Sequence, residues 1–320
     1  MDELLAKALS GDVRSMARLV SRVESDEESA HEIMKAIYPH TGKAQIVGIT
    51  GSPGSGKSTL TGRLIALLRG QKEKVGVIAV DPSSPYTGGA ILGDRLRMQE
   101  HALDAGVFIR SMGSRGHLGG LSGATHDASL IMDACGYDVV VIETVGVGQS
   151  EIDVVKIADT VCLVLVPGMG DDVQIMKAGI MEIADVFVVN KADRDGADKV
   201  AADVKVMLDL IPTRDWRPPV ALASAELNRG VEAVVQHIEK HSRHLLETED
   251  GRRRRLAKIE GEVEDILRRE ISSLAARKWH KAKKEGNVLA DLESRKTDPY
   301  TVASRLLENI QSLREESVCE

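Results

Sequence analysis

Aromatic residues make up only 2% of this 320-residue chain: two Phe, two Trp and four Tyr. A surface that stacks bases on rings needs more than that, so single-strand nucleic-acid binding is a poor fit. Cysteine is equally sparse. Cys135, Cys162 and Cys319 stand far apart with no CxxC pair, which leaves neither a disulfide framework nor a thiolate metal knuckle and suits a reducing compartment. Positive charge is not in excess either. The net charge is −7, so no overall basic field draws the chain to nucleic acid or to an anionic membrane. Long apolar runs are missing, and the opening "MDELLAKALSGD" is acidic and amphipathic, without a basic region leading into an apolar one. Neither a signal peptide nor a membrane span is expected, and the location expected is cytoplasmic.

What is present is an aliphatic core. Apolar residues reach 42%, and with so few rings they are mainly Ala, Val, Ile and Leu. The length allows one sizeable domain with extensions or two smaller ones. Residues 1–40 read as helices, with Leu4, Leu5, Leu9, Met16, Leu19, Val20 and Val23 at helical spacing and "SGD" as a break. The period then changes. "QIVGIT" (45–50), "VGVIAV" (75–80), "GVFIR" (106–110), "DVVVIET" (138–144), "TVCLVLV" (160–166), "DVFVVN" (185–190) and "PVALAS" (219–224) are short and apolar on both faces. Parallel strands covered by helices look like this, so an α/β fold with a mostly parallel sheet is expected. From about residue 230 the chain turns helical to its end. Leu256, Ile259, Val263, Ile266, Leu267, Ile271 and Leu274 form one stripe there, and Val302, Leu306, Leu307, Ile310 and Leu313 another. Such stripes pack on their own domain or on a second subunit. The run "RRRR" (252–255) reads as a solvated helix face.

"GITGSPGSGKSTLTGRL" (48–64) follows the first strand and opens a helix, and within it "GSPGSGKS" fits GxxxxGK[ST]. Glycines let successive N–H groups converge on one point at a positive helix end, which makes an anion cradle. Gly51, Ser52, Pro53, Gly54, Ser55, Gly56, Lys57, Ser58 and Thr59 are thus expected to hold phosphates. Lys57 would reach the β- and γ-phosphates, and the Ser58 hydroxyl would ligate Mg²⁺.

The base is indicated by "NKAD" (190–193) and, one strand later, "SAELNRG" (224–230). A carboxylate at Asp193 accepts from guanine N1–H and the 2-amino group; adenine would leave it unsatisfied. Asn190 would tether the loops near the base, the Lys191 stem would lie along the ring, and the Ala225 N–H, between Ser224 and Glu226, would meet O6. GTP and GDP are the nucleotides expected. "VVVIETVGVGQ" (139–149) supplies the γ-phosphate sensor: Glu143 near Mg²⁺, and the Gly146 N–H on the γ-phosphate. Val147 follows that glycine and cannot orient water, so hydrolysis without a partner is expected to be slow. Gln149 is a candidate for the role, or equally a solvated loop residue. Asp81 in "DPSSPYTGG" and Asp94 in "GDRLRM" are candidates for the metal or are turn and cap residues. Arg97 is a candidate for stabilising transferring charge, or a helix-surface arginine.

With these motifs and "RSMGSRGHLGGLSGAT", "VIETVGVGQSE" and "PGMGDDVQIMKAGI" in one order, the chain resembles the methylmalonyl-CoA mutase-associated GTPase family, labelled MeaB or ArgK, within the metallochaperone-like class of P-loop GTPases. The likeness runs over nearly the whole length. It implies a homodimeric, Mg²⁺-dependent GTPase that protects or reloads an adenosylcobalamin-dependent acyl-CoA mutase by gating cofactor delivery. It implies that Ser58, Asp81, Asp94 and Glu143 surround Mg²⁺. It also implies a third switch segment carrying Asp171, Gln174 and Lys177, a stretch that by itself reads as a strand-to-helix turn. The expected division is a helical extension (1–43), a P-loop GTPase domain (44–247) and a helical dimerisation arm (248–320). Two other functions stay open: nickel insertion, for which His237, His241 and His244 are the closest histidine group, and small-molecule phosphorylation by the P-loop.

Overall fold

All seven of the short apolar runs contribute strands to one sheet, and every strand pairing in it is parallel. The computed structural model describes residues 2–25, 27–71, 73–82, 100–101, 103–114, 123–144, 150–168, 183–210 and 215–316. The strands are β1 (Gln45–Thr50), β2 (Val75–Pro82), β3 (Val107–Ser114), β4 (Val139–Glu143), β5 (Thr160–Leu165), β6 (Val186–Val189) and β7 (Val220–Leu222), in the order β3-β2-β4-β1-β5-β6-β7. The α/β class expected from the sequence is the one found. Two strands outgrow their sequence signal: β2 runs on through Asp81 and Pro82 and β3 through "SMGS", because they pair with each other as far as Pro82 opposite Ser114. Tertiary pairing there overrides weak local β-propensity.

Alternation along each strand sorts the core into two layers. Ile46, Ile78, Val80, Val140 and Ile142 face one side, while Val47, Ile49, Val75, Val77, Val139 and Val141 face the other. The second side is covered by α4 (Lys57–Gly70), through Leu60, Leu64, Ile65 and Leu68, and by α8 (Val231–Glu247), through Val231, Val234, Val235 and Ile238. Each fully buried side chain of this size contributes about 1.5–3 kcal/mol of transfer free energy. The first side is covered by α5 (Gly123–Ala134), α6 (Ser150–Ile157) and the N-terminal helices α1 (Asp2–Leu9), α2 (Val13–Ser25) and α3 (Glu27–Ile37). The "SGD" break behaves as its residues dictate: Gly11 takes φ +94°, and the Asp12 carboxylate caps α2 by accepting from Ser15 N–H at 2.8 Å. A buried acid on α5 ties this layer to the sheet. Asp133 accepts from the N–H groups of Gly42, Lys43 and Ala44 at 2.5, 3.1 and 2.9 Å, just before β1 begins.

Among the described residues the remaining α-helices are α7 (Ala197–Leu210), α9 (Glu249–Glu285), α10 (Val288–Glu293) and α11 (Pro299–Glu316). The chain divides into two compact units, Met1–Arg254 and Arg255–Glu320. In the second, the predicted stripe of α9 is half exposed: Leu256 at 54%, Ile259 at 46%, Val263 at 52%, Leu267 at 50% and Ile271 at 55%.

Candidate functional site

Strand β1 ends at Thr50, and the backbone reverses through Gly51, Gly54 and Gly56, all at positive φ, before α4 starts at Lys57. Two of these glycines are required by space as well as by φ. A Cβ at Gly51 would lie 2.2 Å from the Val164 carbonyl oxygen, and one at Gly56 would lie 2.5 Å from Asn190 Nδ2. Lys57 is buried and donates from Nζ to the carbonyls of Gly51 and Ser52 at 2.7 and 3.0 Å. The Ser55 hydroxyl is buried with no hydrogen-bond partner among the described residues. A glycine cradle at a helix N-terminus, with an ammonium folded over it and an unsatisfied hydroxyl within it, fits a phosphate chain.

Beside the cradle, register brings in an acid. Ile49 pairs with Glu143, which sets the C-terminus of β4 next to the loop. Ser58 Oγ donates to Glu143 Oε1 at 2.5 Å, and both residues are buried. A hydroxyl and a carboxylate converging at the head of α4 are the hard oxygen donors that suit Mg²⁺, so the residues present fit that ion. Asp81 lies near the C-terminal end of β2, two residues past Ala79, which is level with Glu143.

The base-side loops are joined to the cradle by one side chain. Asn190, directly after β6, donates from Nδ2 to the Ser55 carbonyl at 2.8 Å and accepts from Ala225 N–H on Oδ1 at 3.1 Å. Lys191, at φ +56°, reaches back to the Gly54 carbonyl at 2.7 Å. Asp193 accepts from the Ser224 hydroxyl at 2.5 Å. That hydrogen bond is the main reason its carboxyl lies below the usual range, with smaller help from Arg194 and Arg229. A short antiparallel bridge between Ser224 and Arg229 closes the second loop. The Ala225 N–H, expected on guanine O6, is held here by Asn190 Oδ1. P-loop, carboxylate and base loops thus meet at the C-terminal ends of β1, β4, β6 and β7, where open α/β sheets bind ligands.

The family model described as methylmalonyl Co-A mutase-associated GTPase MeaB matches residues 16–280, spanning all of these groups. The chain belongs to the MeaB family. Among relatives, a Pyrococcus abyssi protein carrying a provisional GTPase name is 49% identical over 317 residues, covering 97% of each chain. The GTPase ArgK of Escherichia coli is 40% identical over 241 residues, 72% of this chain and 73% of its own. A crystal structure titled LAO/AO transport system kinase superposes with a TM-score of 0.70 at 27% identity, covering 97% of both chains. The transport title belongs to that protein; among the described residues here no helix is long and apolar enough to cross a membrane.

Several residues singled out in this MeaB-family GTPase lie outside the described ones: Asp94, Arg97, Gly146, Val147, Gln149 and the segment with Asp171, Gln174 and Lys177. Of the histidines, His241 is fully buried and committed to structure. Its Nδ1 pairs with Thr160 Oγ1 at 2.8 Å, and its Nε2 faces Arg254 Nη1 at 3.0 Å. A guanidinium has only donors, so Nε2 is the acceptor and Nδ1 carries the proton. Burial, with Arg254 and His244 adding to it, pushes this imidazole down to about 3. No group of three or more His, Cys, Asp or Glu among the described residues is placed to hold a metal. The "RRRR" run is not uniformly solvated. Arg254 turns inward and donates from both Nη atoms to Asp185 Oδ1 at 3.0 Å, because a carboxylate buried at the start of β6 requires a cation. A cleft of about 380 Å³ lined by Asp185, Asp215, Trp216, Asp250, Arg253 and Arg254 lies at this N-terminal end of β6, opposite the nucleotide end. Arg63 on α4, which no motif singles out, donates from Nε to the Ala225 carbonyl at 3.1 Å. An arginine one turn or more past a P-loop carries no local signal of such a contact.

Proposed function

We propose that this MeaB-family GTPase binds GTP with Mg²⁺, hydrolyses it slowly on its own, and serves as a homodimeric chaperone of an adenosylcobalamin-dependent acyl-CoA mutase. In this reading it gates cofactor loading and protects or reactivates the client. The observation that carries the reading is the family match from 16 to 280, which takes in the cradle, the Ser58–Glu143 corner and both base loops in one chain order.

The residues divide the work by position. Amides of residues 51–59 and the Lys57 ammonium hold the phosphate chain and offset its charge. Ser58 and Glu143, together with Asp81 and Asp94, would hold Mg²⁺, which neutralises phosphate charge when bound. Asn190 and Lys191 brace the cradle against the base loops, and Asp193 reads the purine. Gly146 would sense the γ-phosphate, and Gln149 and Arg97 are the candidates for aiding hydrolysis. With Val147 in the position after that glycine, rapid turnover needs a group from elsewhere. A half-exposed apolar stripe along α9 supports the homodimer, since a helix with such a face gains by burying it.

The test is copurification with a cobalamin-dependent acyl-CoA mutase, followed by GTP turnover with and without that mutase. The expected result is a stable complex and a turnover rate that changes on mixing. No complex, and a rate indifferent to every such mutase, would remove the chaperone role and leave an independent GTPase.

A further inference from the structure

Ala225 is gripped through both of its flanking peptide groups. Its N–H donates to Asn190 Oδ1 at 3.1 Å, and its carbonyl accepts from Arg63 Nε, also at 3.1 Å. Arg63 is partly buried and lies on α4, the helix whose first residues are Lys57 and Ser58. The element that meets the phosphates therefore also holds the turn on the far side of the base pocket.

The other anchors of that turn lie before and around it. Ala192 N–H donates to the Ala223 carbonyl at 2.9 Å, and Ser224 and Arg229 exchange two backbone bonds at 2.9 and 3.0 Å. Between these points Glu226, Leu227 and Asn228 are exposed, and Asn228 sits at φ +51°. Arg63 is thus the side chain that fixes the peptide plane between Ala225 and Glu226. A peptide is planar and trans, so fixing the direction of its carbonyl also fixes the opposite direction of its N–H.

We propose that Arg63 is a positioning residue for purine recognition: by clamping the Ala225 carbonyl it orients the N–H of the same peptide, that of Glu226, toward the C6 oxygen of guanine. The proposal rests on the guanine reading of the base pocket. Guanine offers an acceptor at C6 where adenine offers an amine, so an amide held toward that edge favours the keto purine and penalises the amino one. Freed from Arg63, the turn rotates, and discrimination at C6 weakens while the phosphate cradle is untouched.

The experiment is calorimetric titration of wild type, Arg63→Ala and Arg63→Met with GDP, 6-thio-GDP, ADP and inorganic tripolyphosphate. The thio analogue keeps the N1–H and 2-amino groups read by Asp193 and alters only the C6 acceptor. Wild type is expected to prefer GDP to 6-thio-GDP and to ADP. Both variants should lose about tenfold for GDP, the worth of one well-placed hydrogen bond, with the GDP over 6-thio-GDP margin shrinking and tripolyphosphate affinity unchanged. Arg63→Met keeps an apolar stem on α4, so it supplies the measurement if the alanine variant fails to fold. An undiminished thio margin in a folded variant overturns the role of Arg63. Wild type that binds ADP as tightly as GDP overturns the guanine reading itself, a result distinct from the first.

Discussion

Asn190 and Ser55 lie 135 residues apart in the chain and are joined by a hydrogen bond from Asn190 Nδ2 to the Ser55 carbonyl at 2.8 Å. The same amide accepts from Ala225 on its other atom. One side chain therefore sets the distance between the glycine loop proposed to hold phosphates and the loop proposed to hold the base. Asn190→Ala removes both bonds. It is expected to weaken GDP binding by about 10–100-fold, two buried hydrogen bonds' worth, with tripolyphosphate affinity less affected. Calorimetry with the two ligands measures this, and equal losses for both would mean that the bridge serves folding instead.

Asp193→Asn should trade guanine for xanthine. An amide donates to xanthine O2, whereas the carboxylate accepts from the guanine 2-amino group. The expected change is a loss for GDP of about 10–100-fold, typical of bonds to a charged group, with a gain for XDP. Unaltered GDP preference would refute the base assignment. Ser224→Ala is the companion variant: without the hydroxyl that chiefly lowers the Asp193 carboxyl, protonation sets in at a higher pH, and GDP binding should weaken earlier on acidification.

Ser58 and Glu143 are the two members of the proposed metal corner whose side chains meet, Ser58 Oγ on Glu143 Oε1. Ser58→Ala and Glu143→Gln should each raise the Mg²⁺ concentration needed for half-maximal GTP turnover, by roughly 10–100-fold on the scale seen for disturbed metal shells. GDP binding measured without Mg²⁺ should change little. A Mg²⁺ titration that superposes on wild type for both variants would take these residues out of the metal site.

His241 makes stability depend on pH in a stated direction. Its folded-state value of about 3 lies below its ordinary value of 6.5, so the unfolded chain binds the proton first. Its contribution is complete above pH 6.5 and is lost as pH falls from there toward 3. The slope is at most about 1.4 kcal/mol per pH unit, or about 2 kcal/mol between pH 6.5 and 5. Urea unfolding at pH 7 and pH 5 reads this difference. His241→Asn, although less stable at both values, should show a smaller one; an identical slope would assign the acid sensitivity to other groups.

The stripe of α9 gives a prediction about assembly. Val263→Glu together with Leu267→Glu places charge on two half-exposed positions of that face, where unfolding of the isolated helix is not expected. Sedimentation equilibrium should show a dimer for wild type and a monomer for the double variant, with GDP affinity retained. A variant that sediments as wild type does would remove α9 from the interface.

The parts of this molecule legible in its sequence are those that follow local rules. The P-loop is a backbone shape, and Gly51, Gly54 and Gly56 announce it because few other residues adopt those angles. Strands β1, β4 and β5 were readable because both of their faces are buried, which leaves uninterrupted aliphatic runs. The interactions that escaped are long-range ones made by residues with common local roles. Arg254 sits in a run of four arginines that looks solvated, and only the fold reveals the buried Asp185 opposite it. Arg63 and Asp133 likewise read as ordinary helix residues until a carbonyl from residue 225 and three amides from residues 42–44 arrive beside them.

Strand β6 is only four residues long, and both of its ends are occupied. Asp185 at its start is bonded to Arg254, at the root of α9, and Asn190 just past its end is bonded to the cradle. Five residue steps at about 3.3 Å each make this stretch a ruler of about 17 Å. Adding or deleting one residue here would turn the intervening side chains to the opposite face and detach one anchor or the other. The spacing from 185 to 190 is therefore a dimension of the molecule fixed at both extremities, and families of length variants should spare it while accepting changes in the exposed 226–228 turn.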